Sequence, residues 1–169
     1  MLKRISMVPR FPPPNPVFMR RALDEVRAHL AEMAGGPFGA CLVRGDAVLA
    51  VGHNTVLQDQ DPTCHAEMKA IRLAARQLGS YDLSGCEIYS TNEPCPMCFA
   101  AIHWARIGRL IFGTTIEEVA RLGFNEMAMD SQQMQTLGRS PVVIYPGFLL
   151  AECRQLLTTW DRMPGRQVY

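Results

Sequence analysis

One histidine and a pair of cysteines have the types and spacing of a metal site. His65 stands upstream of a Pro-Cys-Pro-Met-Cys run in which Cys95 and Cys98 form a C-x-x-C motif. One imidazole and two thiolates supply three ligands for a tetrahedral zinc ion and leave the fourth position to water. Three protein ligands are typical of catalytic zinc, so these residues predict a metal-dependent hydrolytic site.

Glu67 follows His65 by two residues and can hold a proton beside the metal without binding it. A carboxylate in the first turn of a helix also has a simpler explanation, its favourable interaction with the helix dipole. The paired H-x-E and P-C-x-x-C motifs, however, are the signature of zinc deaminases that act on nucleobases. In such a site zinc lowers the pKa of water from about 16 towards 7. Glu67 would take the proton and pass it to a ring nitrogen and then to the departing ammonia.

A closed structural zinc site is the alternative, with Cys64 as a fourth ligand in a protein that only binds metal. Adjacent side chains on a helix diverge by about 100°, so Cys64 and His65 do not easily face one ion. The presence of Glu67 also argues against a zinc-binding scaffold without activity. An open catalytic site is therefore the favoured interpretation.

Longer stretches around the two motifs resemble the small bacterial guanine deaminases of the cytidine deaminase-like superfamily. The stretches that carry the resemblance are residues 36–40, 52–54, 61–67, 92–105 and 123–126, together with the terminal Tyr169. Two positions depart from that family. That family commonly has two acids in a row at residues 125 and 126. Here Asn125 replaces the first acid, and the second is retained as Glu126. His103 stands where a tyrosine is frequent.

The resemblance implies a pocket for a free base next to the zinc. It implies that Asn54 binds the polar edge of the base, that Phe38 and Trp104 contribute to the pocket, and that Tyr169 closes over it. Each residue also has an ordinary explanation. Asn54 could be a turn residue, Phe38 and Trp104 could be core aromatics, and Tyr169 could be a frayed chain end. Glu126 is expected to join the catalytic residues and to favour guanine, because its carboxylate accepts the N–H groups that guanine presents and cytosine lacks.

Composition narrows the class of substrate. The chain has 169 residues, enough for one domain, and its 17 basic and 16 acidic residues give a net charge of +1. A dedicated nucleic-acid binder usually carries a distinctly basic surface, so a small molecule is favoured and nucleic acid is not. Scattered cysteines indicate reduced thiols, and neither a signal peptide nor a membrane span is visible, so we expect a cytoplasmic protein.

The favoured reaction is deamination of guanine to xanthine and ammonia. Deamination of cytosine, guanosine or cytidine remains an alternative. So does deamination of tRNA adenosine, because residues 94–98 and 106–113 also resemble the tRNA editors. The resemblance further implies a homodimer, and it leaves open whether the subunits exchange C-terminal segments.

The remaining pattern predicts the elements that position these residues. Residues 1–15 are proline-rich, which predicts an extended arm. Residues 16–169 are expected to form a single deaminase domain. Apolar spacing of three and four predicts helices up to residue 34 and over residues 63–78, 95–105, 116–122 and 149–159. Strands are expected at residues 39–43, 47–51, 86–90, 107–112 and 142–145. Residues 54–62 are expected to form a loop. This alternation predicts a three-layer α/β/α sandwich around a mixed sheet of about five strands.

Overall fold

A mixed five-stranded sheet forms the centre of the molecule. The computed structural model describes residues 11–169. The strands are β1 (Gly39–Arg44), β2 (Ala47–His53), β3 (Cys86–Asn92), β4 (Arg109–Thr114) and β5 (Val143–Tyr145). Their order is β2-β1-β3-β4-β5; β1 runs antiparallel to β2 and β3, whereas β3, β4 and β5 are parallel. The predicted mixed sheet of five strands is confirmed.

Helices cover both faces of this sheet and complete the three layers. They are α1 (Pro16–His29), α2 (Val56–Asp59), α3 (Ala66–Leu78), α4 (Pro96–Trp104), α5 (Ile116–Ala120), α6 (Ser131–Gly138) and α7 (Leu150–Asp161). α1 and α7 pack on one face, and α3 and α4 on the other. The α/β sandwich expected from the sequence is therefore the observed architecture.

β1 is buried on both faces because it lies between two layers of helices. Cys41 and Val43 point into the cluster formed with α1 and α7, whereas Ala40 and Leu42 point into the cluster formed with α3 and α4. Successive side chains of a strand alternate between the two faces of a sheet, so one continuous apolar run can serve both cores. This packing makes the sheet a rigid base for the residues at its edge.

Two helices begin at the predicted metal ligands. His65 is the N-cap residue of α3, and Cys95 is the N-cap residue of α4, followed by proline at the first helical position. Proline suits this position because its missing N–H would have no partner inside the helix. α3 ends at Gly79, whose φ of 61° is readily adopted by glycine. The helix starts therefore fix where the ligand side chains lie.

Several predicted boundaries differ from those observed. The predicted loop at residues 54–62 contains α2, and α6 had no predicted counterpart. The predicted helices at residues 63–78 and 95–105 begin later, because His65 and Cys95 have extended backbones. Of the predicted arm, residues 1–10 lie outside the described residues, and residues 11–15 have no regular structure. Within residues 11–169 no helix has both the length and the apolar character to span a membrane.

Candidate active site

His65, Cys95 and Cys98 converge at the starts of α3 and α4. His65 Nδ1 lies 3.6 Å from Cys95 Sγ and 3.5 Å from Cys98 Sγ. Zn–N and Zn–S bonds of about 2.1 and 2.3 Å at a tetrahedral angle place such atoms about 3.6 Å apart. The three side chains therefore fit a zinc ion without rearrangement. This agreement supports the sequence prediction of the ligand set.

Cys64 does not join this group. The ligand atoms that cluster here belong to His65, Cys95 and Cys98, whereas the Cys64 side chain forms hydrogen bonds with Asp59 and Asp61. Burial, and after it those two carboxylates, raises the pKa of the Cys64 thiol. The described residues therefore do not form a closed site with four protein ligands. Three ligands leave the fourth position of a bound zinc ion for water.

The start of α4 favours a thiolate at the metal position. The Cys98 side chain donates to Cys95, and this hydrogen bond is the largest cause that lowers the pKa of Cys95 to about 4, with His65 contributing further and burial opposing. The same contact and burial raise the pKa of Cys98. A helix N-terminus stabilises negative charge, so a cationic metal would complete a site that already holds one thiolate.

Glu67 lies beneath the ligands and is almost completely buried, at 3% exposure. Its Oε1 accepts a hydrogen bond from the Ser90 hydroxyl at 3.1 Å. Burial is the main cause that raises the pKa of Glu67 above its ordinary value, with the charge of Cys95 adding to it. A carboxyl group that binds a proton more readily than usual, beside a metal position, has the properties of a general acid and base.

A cavity of about 460 Å³ opens in front of the metal position. Its lining includes His65 and Cys95, and also four of the residues assigned to the pocket from the sequence, which are Phe38, Asn54, Glu126 and Tyr169. A cavity of this size lies within the usual range for small-molecule sites. The structure thus gathers residues that are distant in sequence around one space.

Asn54 is 2% exposed and is held from two sides. Its Oδ1 accepts hydrogen bonds from Tyr169 Oη at 2.6 Å and from Val56 N at 3.1 Å. Its Nδ2 has no hydrogen-bond partner among the described residues. Glycine at position 35 permits this placement, because a Cβ there would overlap Asn54 Oδ1. The carboxamide is therefore fixed with its NH2 group unpaired among the described residues, and a bound molecule could accept from it.

Tyr169 closes one end of the cavity from within the same chain. Besides donating to Asn54, its hydroxyl accepts from Gly36 N at 3.0 Å, and its carbonyl oxygen accepts from Asn125 N at 3.0 Å. The ring packs edge to face against Phe124, with centroids 5.4 Å apart. Burial is the main cause that raises the pKa of Tyr169 to about 12. The chain end is thus tied to the site as a neutral phenol.

Glu126 and Asp61 are the two carboxylates that line the cavity. Of these, Glu126 is the one with a raised pKa. Burial is the main cause that raises its pKa to about 6, and the charge of Cys95 contributes as well. The carboxylate form is therefore the major one above that pH. Glu67 is enclosed and burial raises its pKa, whereas Glu126 borders the cavity and can accept N–H groups from a ligand.

Trp104 does not line this cavity within the single chain, so its contribution to the pocket stays a prediction. Trp104 is the last residue of α4, 79% exposed, and borders a separate surface cavity with Phe11 and Val142. Cys95 lies at the opposite end of α4. Trp104 follows Cys95 by nine residues, and at a rise of 1.5 Å per residue this places them about 13 Å apart along the helix axis. Within one chain, Trp104 therefore lies too far from the metal ligands to line the same cavity.

Glu93 is a site-supporting residue that the sequence analysis did not identify. It is 6% exposed, and its two carboxylate oxygens accept from Ile116 N at 3.2 Å and Ser131 N at 2.8 Å. These donors are the first residues of α5 and α6, between which the segment with Glu126 runs. An acid directly before Pro94 and Cys95 was the available signal, but its partners lie far along the chain.

Comparison with known proteins places the site in a family context. The model for the cytidine and deoxycytidylate deaminase zinc-binding region matches residues 14–114, which include all three candidate ligands. Guanine deaminase of Bacillus subtilis (strain 168) is 41% identical over 109 residues, which cover 64% of this chain and 70% of that protein.

A tRNA-specific adenosine deaminase of Agrobacterium fabrum is 45% identical over 145 residues, covering 86% of this chain and 92% of that protein. Among solved structures, guanine deaminase from Nitrosomonas europaea superposes with a TM-score of 0.81 at 28% identity, covering 91% of this chain and 88% of that one. The two kinds of relative act on different substrates, so the comparisons leave the choice of substrate to the chemistry of the cavity.

Proposed function

The chain belongs to the cytidine and deoxycytidylate deaminase zinc-binding family, and on that premise we propose that it hydrolyses the amino group of free guanine, releasing xanthine and ammonia. The zinc chemistry of the family accounts for the hydrolysis. The choice of guanine is our proposal, and it rests on the residues that border the cavity.

The observation that carries this choice is the pairing of Asn54 and Glu126 around the cavity. Asn54 offers the unused N–H donor of Nδ2, and Glu126 offers a carboxylate acceptor. Guanine presents a carbonyl acceptor and N–H donors on its polar edge, which complement these two groups. Cytosine presents an acceptor at the corresponding ring nitrogen, which a carboxylate would repel. The two polar groups therefore favour guanine over cytosine.

His65, Cys95 and Cys98 would hold the zinc ion, which supplies Lewis-acid activation of water when bound. Glu67 takes the proton that the attacking water releases and delivers it to the ring nitrogen next to the amino-bearing carbon. Glu67 then carries the second proton of that water to the amino group, so that the C–N bond breaks with departure of ammonia. One water is consumed for each xanthine and ammonia formed, and Glu67 ends in its starting state.

Tyr169 limits the size of the substrate. Its hydrogen bonds to Asn54 and Gly36 close the cavity at the end where the base would be held. A ribose attached to the base would need room next to this closure. Exclusion of water from the cavity also strengthens the polar contacts that position the base. These features favour a free base over a nucleoside.

Deamination of adenosine in tRNA is the second candidate, and the relative in Agrobacterium fabrum supports it. That relative matches a larger part of this chain than the guanine deaminase of Bacillus subtilis does. The net charge of +1 gives no general attraction to a polyanion. A cavity closed at one end by Tyr169 also leaves little room for a nucleotide that is part of a folded RNA.

An ammonia-release assay separates guanine from other free bases and from nucleosides. The zinc-loaded protein would be tested with guanine, guanosine, adenine, cytosine and cytidine, with Glu67→Ala as the control for contaminating activity. We expect guanine to have the highest kcat/KM and to yield xanthine. Preference for cytosine or for a nucleoside would overturn the assignment of guanine while leaving the zinc chemistry intact.

A further inference from the structure

A second group of potential metal ligands lies behind the substrate cavity. Glu25 and His29 stand one turn apart on α1, and His53 is the last residue of β2. His53 Nδ1 lies 2.8 Å from Glu25 Oε1, and His29 Nδ1 lies 3.7 Å from the same oxygen. One potential ligand atom from each of the three residues falls within 4.8 Å of the others.

These separations are close to those between the ligands of one transition-metal ion, and the full geometry would form after one imidazole ring turns. Two ligands at about 2.1 Å from a tetrahedral zinc ion lie about 3.4 Å apart, and the two observed distances bracket this value. Two histidines and one glutamate form a ligand set that zinc uses in proteins, with the fourth position left to water. We propose that Glu25, His29 and His53 bind a second divalent transition-metal ion, separate from the ion at the active site.

The side chains have the access and freedom that binding requires. The side chains of His29 and Glu25 are about one third exposed, at 33% and 28%, whereas that of His53 is largely covered, at 12%. The two imidazole rings are stacked, with centroids 4.1 Å apart and planes inclined by 13°. Parallel rings direct their nitrogens along parallel lines, so one ring must turn before both can bind one ion. His29 would turn by giving up the 2.8 Å hydrogen bond between its Nδ1 and the Glu25 carbonyl oxygen, and its partial exposure leaves room for that rotation.

An ion at this position would fix the end of β2. His53 directly precedes Asn54, whose carboxamide borders the cavity, and Asn54 N donates to the carbonyl oxygen of Phe38. Burial also lowers the pKa of His53, which favours the neutral imidazole that metal binding requires. The site would thus link the first helix to the strand end that carries a predicted substrate-binding residue.

Metal stoichiometry tests this proposal without reference to activity. The zinc-loaded protein would be dialysed against micromolar free zinc and its metal content measured together with protein concentration. We expect two zinc ions per chain in the natural protein and one in His29→Ala. Loss of one of three ligands should weaken zinc binding at this site by at least about tenfold, as loss of even a supporting group weakens metal sites by 10–100-fold.

Two further variants make the result specific. His103→Ala removes a histidine that is hydrogen-bonded to Ser140 outside the cluster, and it should keep two ions. Cys95→Ala should lose the active-site ion and keep the other. One zinc in the natural protein, or equal zinc content and affinity in the natural protein and His29→Ala, would overturn the second site. Neither result bears on the proposed reaction, which depends on the first site.

Discussion

Removal of the Tyr169 hydroxyl should weaken guanine turnover while the fold and the zinc site persist. Tyr169→Phe deletes the donor to Asn54 Oδ1 and the acceptor for Gly36 N. Each hydrogen bond contributes about 0.5–1.5 kcal/mol net, so the two together contribute about 1–3 kcal/mol. If that energy holds the closed cavity around the transition state, kcat/KM falls by about 5- to 150-fold.

Deletion of Val168 and Tyr169 should cost at least as much, and no less than about tenfold in kcat/KM, or roughly 1.4 kcal/mol. It also removes the edge-to-face contact with Phe124, which is worth about 0.5–1.5 kcal/mol, and the main-chain hydrogen bond from Asn125 N. Circular dichroism and zinc content should stay as in the natural protein, since the chain end lies outside the ligand set.

Steady-state xanthine formation is the assay, and Tyr145→Phe is the matched control. Tyr145 is partly exposed on β5 and does not border the cavity. We expect Tyr145→Phe to have the kcat/KM of the natural protein, and we expect only the Tyr169 variants to lose kcat/KM. Unchanged kcat/KM for guanine in both Tyr169 variants would refute the reasoning and make the terminal tyrosine an ordinary chain end.

Three further outcomes follow from the same geometry. Glu67→Gln should keep zinc and fold but lower kcat by at least about 10²–10⁴-fold, and retained turnover would remove Glu67 from the mechanism. Because burial raises the pKa of Glu126 to about 6, its carboxylate is lost as pH falls through that value; KM for guanine should rise about fourfold between pH 7.5 and 5.5, and this rise should vanish in Glu126→Gln. Glu93→Ala leaves the buried Ile116 N and Ser131 N without acceptors, so urea denaturation should show a loss of about 2–4 kcal/mol, against little change for the exposed Glu117→Ala.

The sheet and the ligand set could be predicted from the sequence because they depend on short-range patterns of residues. Continuous apolar runs predict buried strands, and a proline followed by ligand residues predicts the start of α4. The boundaries were less accurate, since His65 and Cys95 are cap residues with extended backbones. α6 was missed although Asp130 and Gln133 form a capping box, because its weakly apolar sequence hides the helical period.

The cavity was harder to predict, since its parts meet only through tertiary packing. Asn54 and Tyr169 were assigned through resemblance, but nothing in their spacing indicates that they share a hydrogen bond. Glu93 was missed because its partners are backbone groups of two later helices. The position of Trp104 could not be predicted, because helical spacing does not reveal that α4 carries it away from the metal ligands of the same chain.

A direct comparison of two substrates tests the central claim. The zinc-loaded protein would be given free guanine and, separately, a tRNA anticodon stem-loop with adenosine at the wobble position, and kcat/KM would be measured for xanthine and for inosine formation. The account predicts efficient xanthine formation and inosine formation no faster than with Glu67→Ala. Efficient inosine formation with no xanthine from guanine would contradict it.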